Sequence, residues 1–321
     1  MAGSVRRWGG VRPAAGGRYW PAAVDLDRVG AVAAVLALAV WTSVVLLDAP
    51  DEGAGKSGAG SGGAGSAGIT LGVPETLYGA YGGAPYTHPS DIRFRNGGAT
   101  DLIVHDVNWD GKPFKSPIYY GVRAIRWSGT GPGAMLDFTH SKTISQREQD
   151  VRFSGTRNGR PAPGPQTVGD AFRHLEFSHG HNMLTFNGMA RLFQITPRLQ
   201  PYVGGGLGIA LPHTEIQFYD EAKRTYEYQY AGPVGQVLAG LEVRLPRVSL
   251  FFEYKFSLAR YEVPLSGRDS RGWGFGDFPN QFLAWFGGRS PENGTATTTL
   301  ASHQLIGGVA VRVGGPALVS P

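Results

Sequence analysis

From residue 69 onward the chain alternates with a period of two residues, and no long stretch there carries the 3.6-residue apolar period of a helix. In "NMLTFNGMARLF" (182–193), Leu184, Phe186, Gly188, Ala190 and Leu192 share one face. Thr185, Asn187 and Arg191 share the other with Met183 and Met189. In "VSLFFEYKFSLA" (248–259), Val248, Leu250, Phe252, Tyr254, Phe256 and Leu258 alternate with Glu253, Lys255 and Ser257. "HQLIGGVAVRVG" (303–314) sets Leu305, Val309, Val311 and Val313 against Gln304 and Arg312. Eight such strands are predicted, at 75–83, 118–128, 133–144, 181–193, 200–212, 228–245, 247–262 and 303–313. Successive side chains of a strand point to opposite faces, so each segment has an apolar side and a polar side.

The connections narrow the architecture further. Strands two and three are joined by "GTGP", four and five by "QITPRL", six and seven by "PR", and the other connections are much longer. Regular alternation of short and long links belongs to transmembrane barrels, with short periplasmic turns and long outer loops. The predicted strands also have the length that a tilted membrane crossing needs. The expected fold is therefore all-β: an eight-stranded antiparallel up-and-down transmembrane β-barrel with long outer loops, in the bacterial outer membrane. The competing architecture is a soluble eight-stranded barrel or sandwich with its apolar face inward. Alternation alone does not separate the two; aromatic-ended apolar faces and the amino-terminal segment favour the membrane. Eight strands leave a lumen that side chains fill, which excludes a porin. The polar faces then form an internal network of Arg123, Asp137, Arg191, Glu242, Arg244, Glu253, Lys255 and Arg312, whose opposite signs can pair, as buried charges must.

Composition agrees. The 49 glycines and 22 prolines suit strands joined by turns. The absence of cysteine excludes disulfides, zinc-thiolate sites and thiol nucleophiles, and it suits an exported protein. Residues 1–50 are expected to be an export signal or signal-anchor: five arginines among the first 28 residues precede the uncharged run "VGAVAAVLALAVWTSVVLL" (29–47). Cleavage after this run is open, since Leu47-Asp48-Ala49 is a poor site. Residues 51–68 are a Gly/Ser-rich linker, 69–314 the barrel domain, and 315–321 a tail; 264–302 reads as an enlarged fourth outer loop. The net charge of +5 comes with no basic helix and no RNA-binding aromatic motif, so nucleic acid is not an expected partner. A monomer among outer-membrane lipids is expected. "GGGLG" (204–208) lies within a strand and reads as barrel packing, and no flavin or nicotinamide motif is present.

All eight histidines fall at or beyond the predicted outer rim, three of them in "HLEFSHGHN" (174–182). Carboxylates accompany them at Asp106, Asp110, Glu176 and Glu215. Imidazole with carboxylate is the ligand set of iron, copper or zinc, and it also serves acid–base work near neutral pH. The i, i+2 spacing of His174 with Glu176, and of His213 with Glu215, puts each pair on one face of an extended strand. These four are the candidate metal ligands; contact with lipid headgroups is the competing role. His179 and His181, at the turn into the fourth strand, read as local variation.

Six segments together resemble the lipid A oxidase family, in the same order along the chain: "VNWDGKPFKSPIYYGVRAIRW" (107–127), "GAMLDFTHSK" (133–142), "HLEF" with "NMLTFNGMAR" (174–191), "QPYVGGGLGIALPHTE" (200–215), "TYEYQYAGPVGQVLAG" (225–240) and "FFEYKFS" (251–257). The resemblance implies an outer-membrane enzyme that uses molecular oxygen to convert the proximal glucosamine of lipid A to 2-aminogluconate, releasing hydrogen peroxide. Its substrate would be lipid A, or lipopolysaccharide, with a free anomeric hydroxyl. On this reading the candidate catalytic residues are His174, Glu176, His213, Glu215, Asp110 and His140. Lys112, Trp109, Lys142 and Tyr228 are candidates for substrate binding. A divalent metal is expected because oxygen reacts slowly with closed-shell sugars. Two alternatives remain: a barrel hydrolase that deacylates lipid A, with Ser141 beside His140 or Ser178 beside His179, and a non-catalytic barrel serving adhesion or envelope integrity.

Overall fold

The computed structural model describes residues 74–129, 131–270, 278–289, 291 and 293–313. The expected export segment with its apolar run at 29–47, the 51–68 linker and the 315–321 tail lie outside these residues. Eight strands pair antiparallel into a closed ring: β1 (Glu75–Thr87), β5 (Tyr120–Trp127), β6 (Pro132–Ser145), β10 (Phe172–Arg191), β11 (Leu199–Ala210), β14 (Gly232–Arg244), β15 (Val248–Pro264) and β16 (Thr295–Val313), which pairs back onto β1. Closure removes the open edges that a sheet otherwise exposes. The short links predicted after the second, fourth and sixth strands all lie at one end of the ring.

Burial decides which face is inside. Phe186, Val237, Phe252 and Leu305 are more than half exposed, and Leu207 is 75% exposed, all on the outward face. The lumen instead holds the charges. Arg123 donates both terminal nitrogens to Glu253 at 2.8 and 2.9 Å and meets Asp137 at 3.2 Å, while Lys255 reaches Asp137 at 2.6 Å. Nearer the short turns, Arg191, Arg244 and Arg312 surround Glu75 and Glu242. All eight predicted lumen charges take part, and Glu75, at the very start of β1, joins them. An apolar exterior around a paired polar interior inverts the order of a soluble protein and places the barrel in the outer membrane. The lumen is plugged by this network together with Leu77, Tyr81, Trp127, Met135, Tyr202 and Phe251.

Several strands run far past the 9–11 residues that a bilayer needs. β10 has 20 residues, β15 has 17 and β16 has 19. Above the membrane their ends join shorter strands into a sheet: β2 (Ser90–Asn96), β3 (Thr100–Val107) and β7 (Asp150–Arg157) extend outward from β16. β4 (Trp109–Asp110) pairs β6, the two-residue β8 (Arg160–Pro161) and β9 (Gln166–Thr167) pair β7, and β12 (His213–Phe218) links β10 to β13 (Thr225–Tyr228). This extension closes over a second core that includes Phe94, Leu102, Phe172, Leu175, Phe177, Ile216 and Tyr261. Three sequence expectations change accordingly. "HLEFSHGHN" is strand within β10 rather than loop, because Leu175 and Phe177 are buried in this core. The sixth barrel strand begins at 232 rather than 228, since 225–228 pairs with β12. The fourth outer loop shrinks to 265–294, because the ends of β15 and β16 stay paired as far as Pro264 and Thr295. That loop carries α1 (Phe278–Phe286), whose Phe278, Phe282 and Trp285 rings pack on Tyr230.

Candidate functional site on the outer wall

Register places the candidates. Across an antiparallel pair, directly opposed residues share a face. In β6, Asp137 and Thr139 face the lumen, so Phe138, His140, Lys142 and Ile144 face outward. Tyr120, His140 and Asn182 form one outward rung, and His140 Nδ1 lies 2.7 Å from Asn182 Oδ1. A higher rung runs Asp110, Ile144, Glu176, Glu215, Tyr226 across five strands. Between them lie Lys142, His213 and Tyr228, with His213 opposite Tyr228. Apolar side chains begin two residues below His140, at Val122, Phe138, Leu184 and Ile209, which is about 7 Å along the strand. The site therefore sits on the outside of the barrel wall, just above the lipid-facing band.

The pairing of β6 with β10 slips between Phe177 and His181, which puts two extra residues into β10. Gly180 takes φ 152° there, where an added Cβ would meet the Asn182 side chain, so the position favours glycine. The bulge swings His179 to Glu215, with Nδ1 4.0 Å from Oε2, and to His213, at 5.1 Å between ring centroids. His181 turns inward and bonds the Tyr261 hydroxyl in the upper core. Neither histidine is incidental: one belongs to the wall and the other to the core.

His174, Glu176 and Glu215 converge. His174 Nδ1 stands 3.2 Å from Glu176 Oε1 and 3.2 Å from Glu215 Oε1, and one donor atom from each residue falls within 4.8 Å of the others. The Glu176 hydrogen bond, with help from both carboxylates' charge, holds the imidazole above its ordinary pKa. Burial, and then the neighbouring Glu176, holds the Glu215 carboxyl above its own. Arg224 donates to Glu215 at 2.8 Å and lies over the Tyr226 ring. His213 stands beside this trio rather than in it. It is boxed by Tyr226 and Tyr228, with ring centroids at 4.4 and 4.6 Å, and burial lowers its pKa to about 3, so it is neutral at physiological pH.

Asp110 accepts from Gln146 Nε2 at 2.7 Å and lies 3.6 Å from Lys112. Lys142 donates to the Lys115 carbonyl at 2.7 Å. Tyr228 donates to the His179 carbonyl at 3.4 Å. Trp109 alone among the candidates points the other way. Its indole is buried in the upper core and donates to Ser90 at 2.9 Å, so it does not face a substrate on this wall. His179, Arg224, Tyr226 and Lys115 were not among the sequence candidates. The histidine carried a signal as part of its cluster, whereas the other three reach the site only through turns and pairings that no local pattern encodes.

No protein-family model matches the chain, and no curated protein matches it. Among solved structures, the chain is similar to the outer membrane protein OprG from Pseudomonas aeruginosa, with 8% identity and a TM-score of 0.36, over 75% of this chain and 94% of that one. It is also similar to Ail, the attachment invasion locus protein of Yersinia pestis, solved with a heparin analogue, with 8% identity and a TM-score of 0.30, over 76% of this chain and 100% of that one. Similarity this slight has no bearing on function.

Proposed function

We propose that the protein is an oxygen-dependent oxidase of the lipid A saccharide, converting the proximal glucosamine with its free anomeric hydroxyl to 2-aminogluconate. The observation that carries this reading is the His174–Glu176–Glu215 cluster, which faces outward on the Ile144 rung, three outward positions along β6 above the lipid-facing Phe138, on the side where an outer-leaflet glycolipid carries its saccharide. The segments that resemble lipid A oxidases supply the strands of this wall. The chemistry balances as follows: the anomeric hydroxyl loses a proton and its carbon a hydride equivalent, dioxygen takes two electrons and two protons to become hydrogen peroxide, and water opens the lactone. The sugar gains one oxygen overall.

Glu176, half-buried beside His174, is placed to take the hydroxyl proton, and the imidazole to relay it. Arg224 holds Glu215 in position. One imidazole and two adjacent carboxylates are a donor set suited to iron or another divalent ion, and the mutual crowding of those carboxylates is what a cation relieves. A bound ion there would supply the one-electron chemistry through which oxygen reacts with a sugar.

A hydrolase has weaker support. Ser141 faces the lumen while its neighbour His140 faces out. Ser178 Oγ and the nearer Glu215 oxygen both address Nδ1 of His179, at 3.2 and 4.0 Å, so the ring does not bridge them through its two nitrogens. The test is mass spectrometry of lipid A from cells expressing the protein, with and without oxygen and chelator. A gain of one oxygen atom, abolished without oxygen and by Glu176→Gln, is expected. Loss of an acyl chain would make the protein a hydrolase, and an unchanged spectrum would leave a non-catalytic barrel.

A further inference from the structure

Lys142 is 4% exposed although its strand position faces outward, because the loop 111–119 folds over it. Its ammonium rests on the Lys115 carbonyl, and among the described residues no carboxylate lies within ion-pair distance of it. Burial disfavours its charge, and so do the neighbouring Lys112 and Lys115, while Glu176 favours it. Three lysines thus lie together, and among the described residues Asp110 is the one carboxylate paired with any of them, 3.6 Å from Lys112. A buried cation is normally matched by an anion, so this arrangement leaves room for one from outside. Lys112 also holds a left-handed backbone (φ 38°), a conformation that a side chain adopts at a cost.

The same loop carries Phe114, 87% exposed, and Ile118, 56% exposed, immediately before Tyr120 at the rim of the lipid band. Cationic and apolar side chains on one loop at a membrane surface match an anionic amphiphile.

We propose that Lys112, Lys115 and Lys142 form a subsite for a phosphate group of an outer-leaflet glycolipid, whose acyl chains lie against Phe114 and Ile118. This deepens the proposed function, since Lys142 stands one outward position along β6 from Ile144, the residue opposite Glu176. A saccharide whose phosphate is held here presents another part of itself to His174 and Glu215.

The test measures binding without turnover, under argon, with the full chain in micelles. The probes are a glycolipid disaccharide phosphorylated on its distal sugar only, its fully dephosphorylated counterpart, and inorganic pyrophosphate. Lys112→Gln combined with Lys115→Gln, both on exposed side chains, is expected to weaken binding of the phosphorylated probe at least about tenfold and to leave the dephosphorylated one unchanged. The loss should shrink with added salt, as contacts to an anion do. Phe114→Ser with Ile118→Ser is expected to weaken both glycolipids and spare pyrophosphate. Unchanged affinity in the double lysine variant overturns the subsite. Pyrophosphate competing as well as the glycolipid, with the Phe114/Ile118 variant neutral, overturns the lipid assignment in favour of a soluble anion. Failure of the oxidation assay alongside selective binding would count against the oxidase and not against the subsite.

Discussion

His174 lies within 3.2 Å of two carboxylates, and its titration reports directly on the cluster. Because its pKa is raised in the folded state, the pairing stabilises the protein fully below the ordinary imidazole value of 6.5, and that contribution is lost as pH rises through the raised value. NMR of labelled histidine rings should find the His174 midpoint above that of an exposed imidazole. Glu176→Gln should lower it more than Glu215→Gln, since the Glu176 hydrogen bond is the larger cause. A midpoint indifferent to Glu176→Gln would remove the shared-proton arrangement on which the acid–base assignment rests. His213 should stay neutral across the same range and give a flat profile.

At the scale of elements, the close approach of β10 and β11 depends on glycine. An added Cβ at Gly206 would stand 1.9 Å from the Phe186 carbonyl oxygen and 2.6 Å from the Asn187 Cα, both backbone atoms that cannot step aside. Gly206→Ala should therefore loosen this pairing and cost about 1–3 kcal/mol, as overpacking does. Gly131→Ala, where nothing lies within 4 Å, is the matched control. Equilibrium unfolding from micelles compares the two, and equal midpoints would mean that the strands are not as close as described. This also explains why "GGGLG" is no nucleotide loop: it lies in the middle of β11, against a neighbouring backbone. The bulge in β10 was not legible in the same way. Residues 182–193 alternate cleanly, but the slip between Phe177 and His181 adds two residues to β10 and shifts the register of everything before it while keeping its parity; the change of face comes at the one-residue slip between Phe172 and His174.

For the molecule as a whole, the outward apolar band makes the bilayer part of the fold. Val237, 56% exposed and midway along β14, should not tolerate charge: Val237→Arg is expected to cost about 2–4 kcal/mol in equilibrium folding into lipid vesicles. Tyr219, 55% exposed above the membrane after β12, should accept arginine at little cost. Similar costs at both positions would contradict an outer-membrane placement of the ring. Above the band, the long strands raise a second, roofed core. The candidate site lies on the outer flank of this extension and not in the plugged lumen.

The number of ring strands, the two faces of each, the end that carries the short turns and eight of the lumen charges were determined by the sequence itself, whereas Glu75 and the strands above the ring were not. Side-chain direction in a strand is a local property with a period of two, so residues such as Glu253 and Lys255 declare their face without reference to any neighbour. Which face meets lipid, and how far the strands rise above it, was decided only by closure of the ring and by burial. The site was decided the same way. Asp110, Glu176 and Glu215 are far apart in the chain and share a rung because β4, β6, β10 and β12 pair in one register. Trp109, adjacent to Asp110, points into the core for the same reason. Register is set by non-local pairing and by where a bulge adds residues, and no spacing along the chain records it.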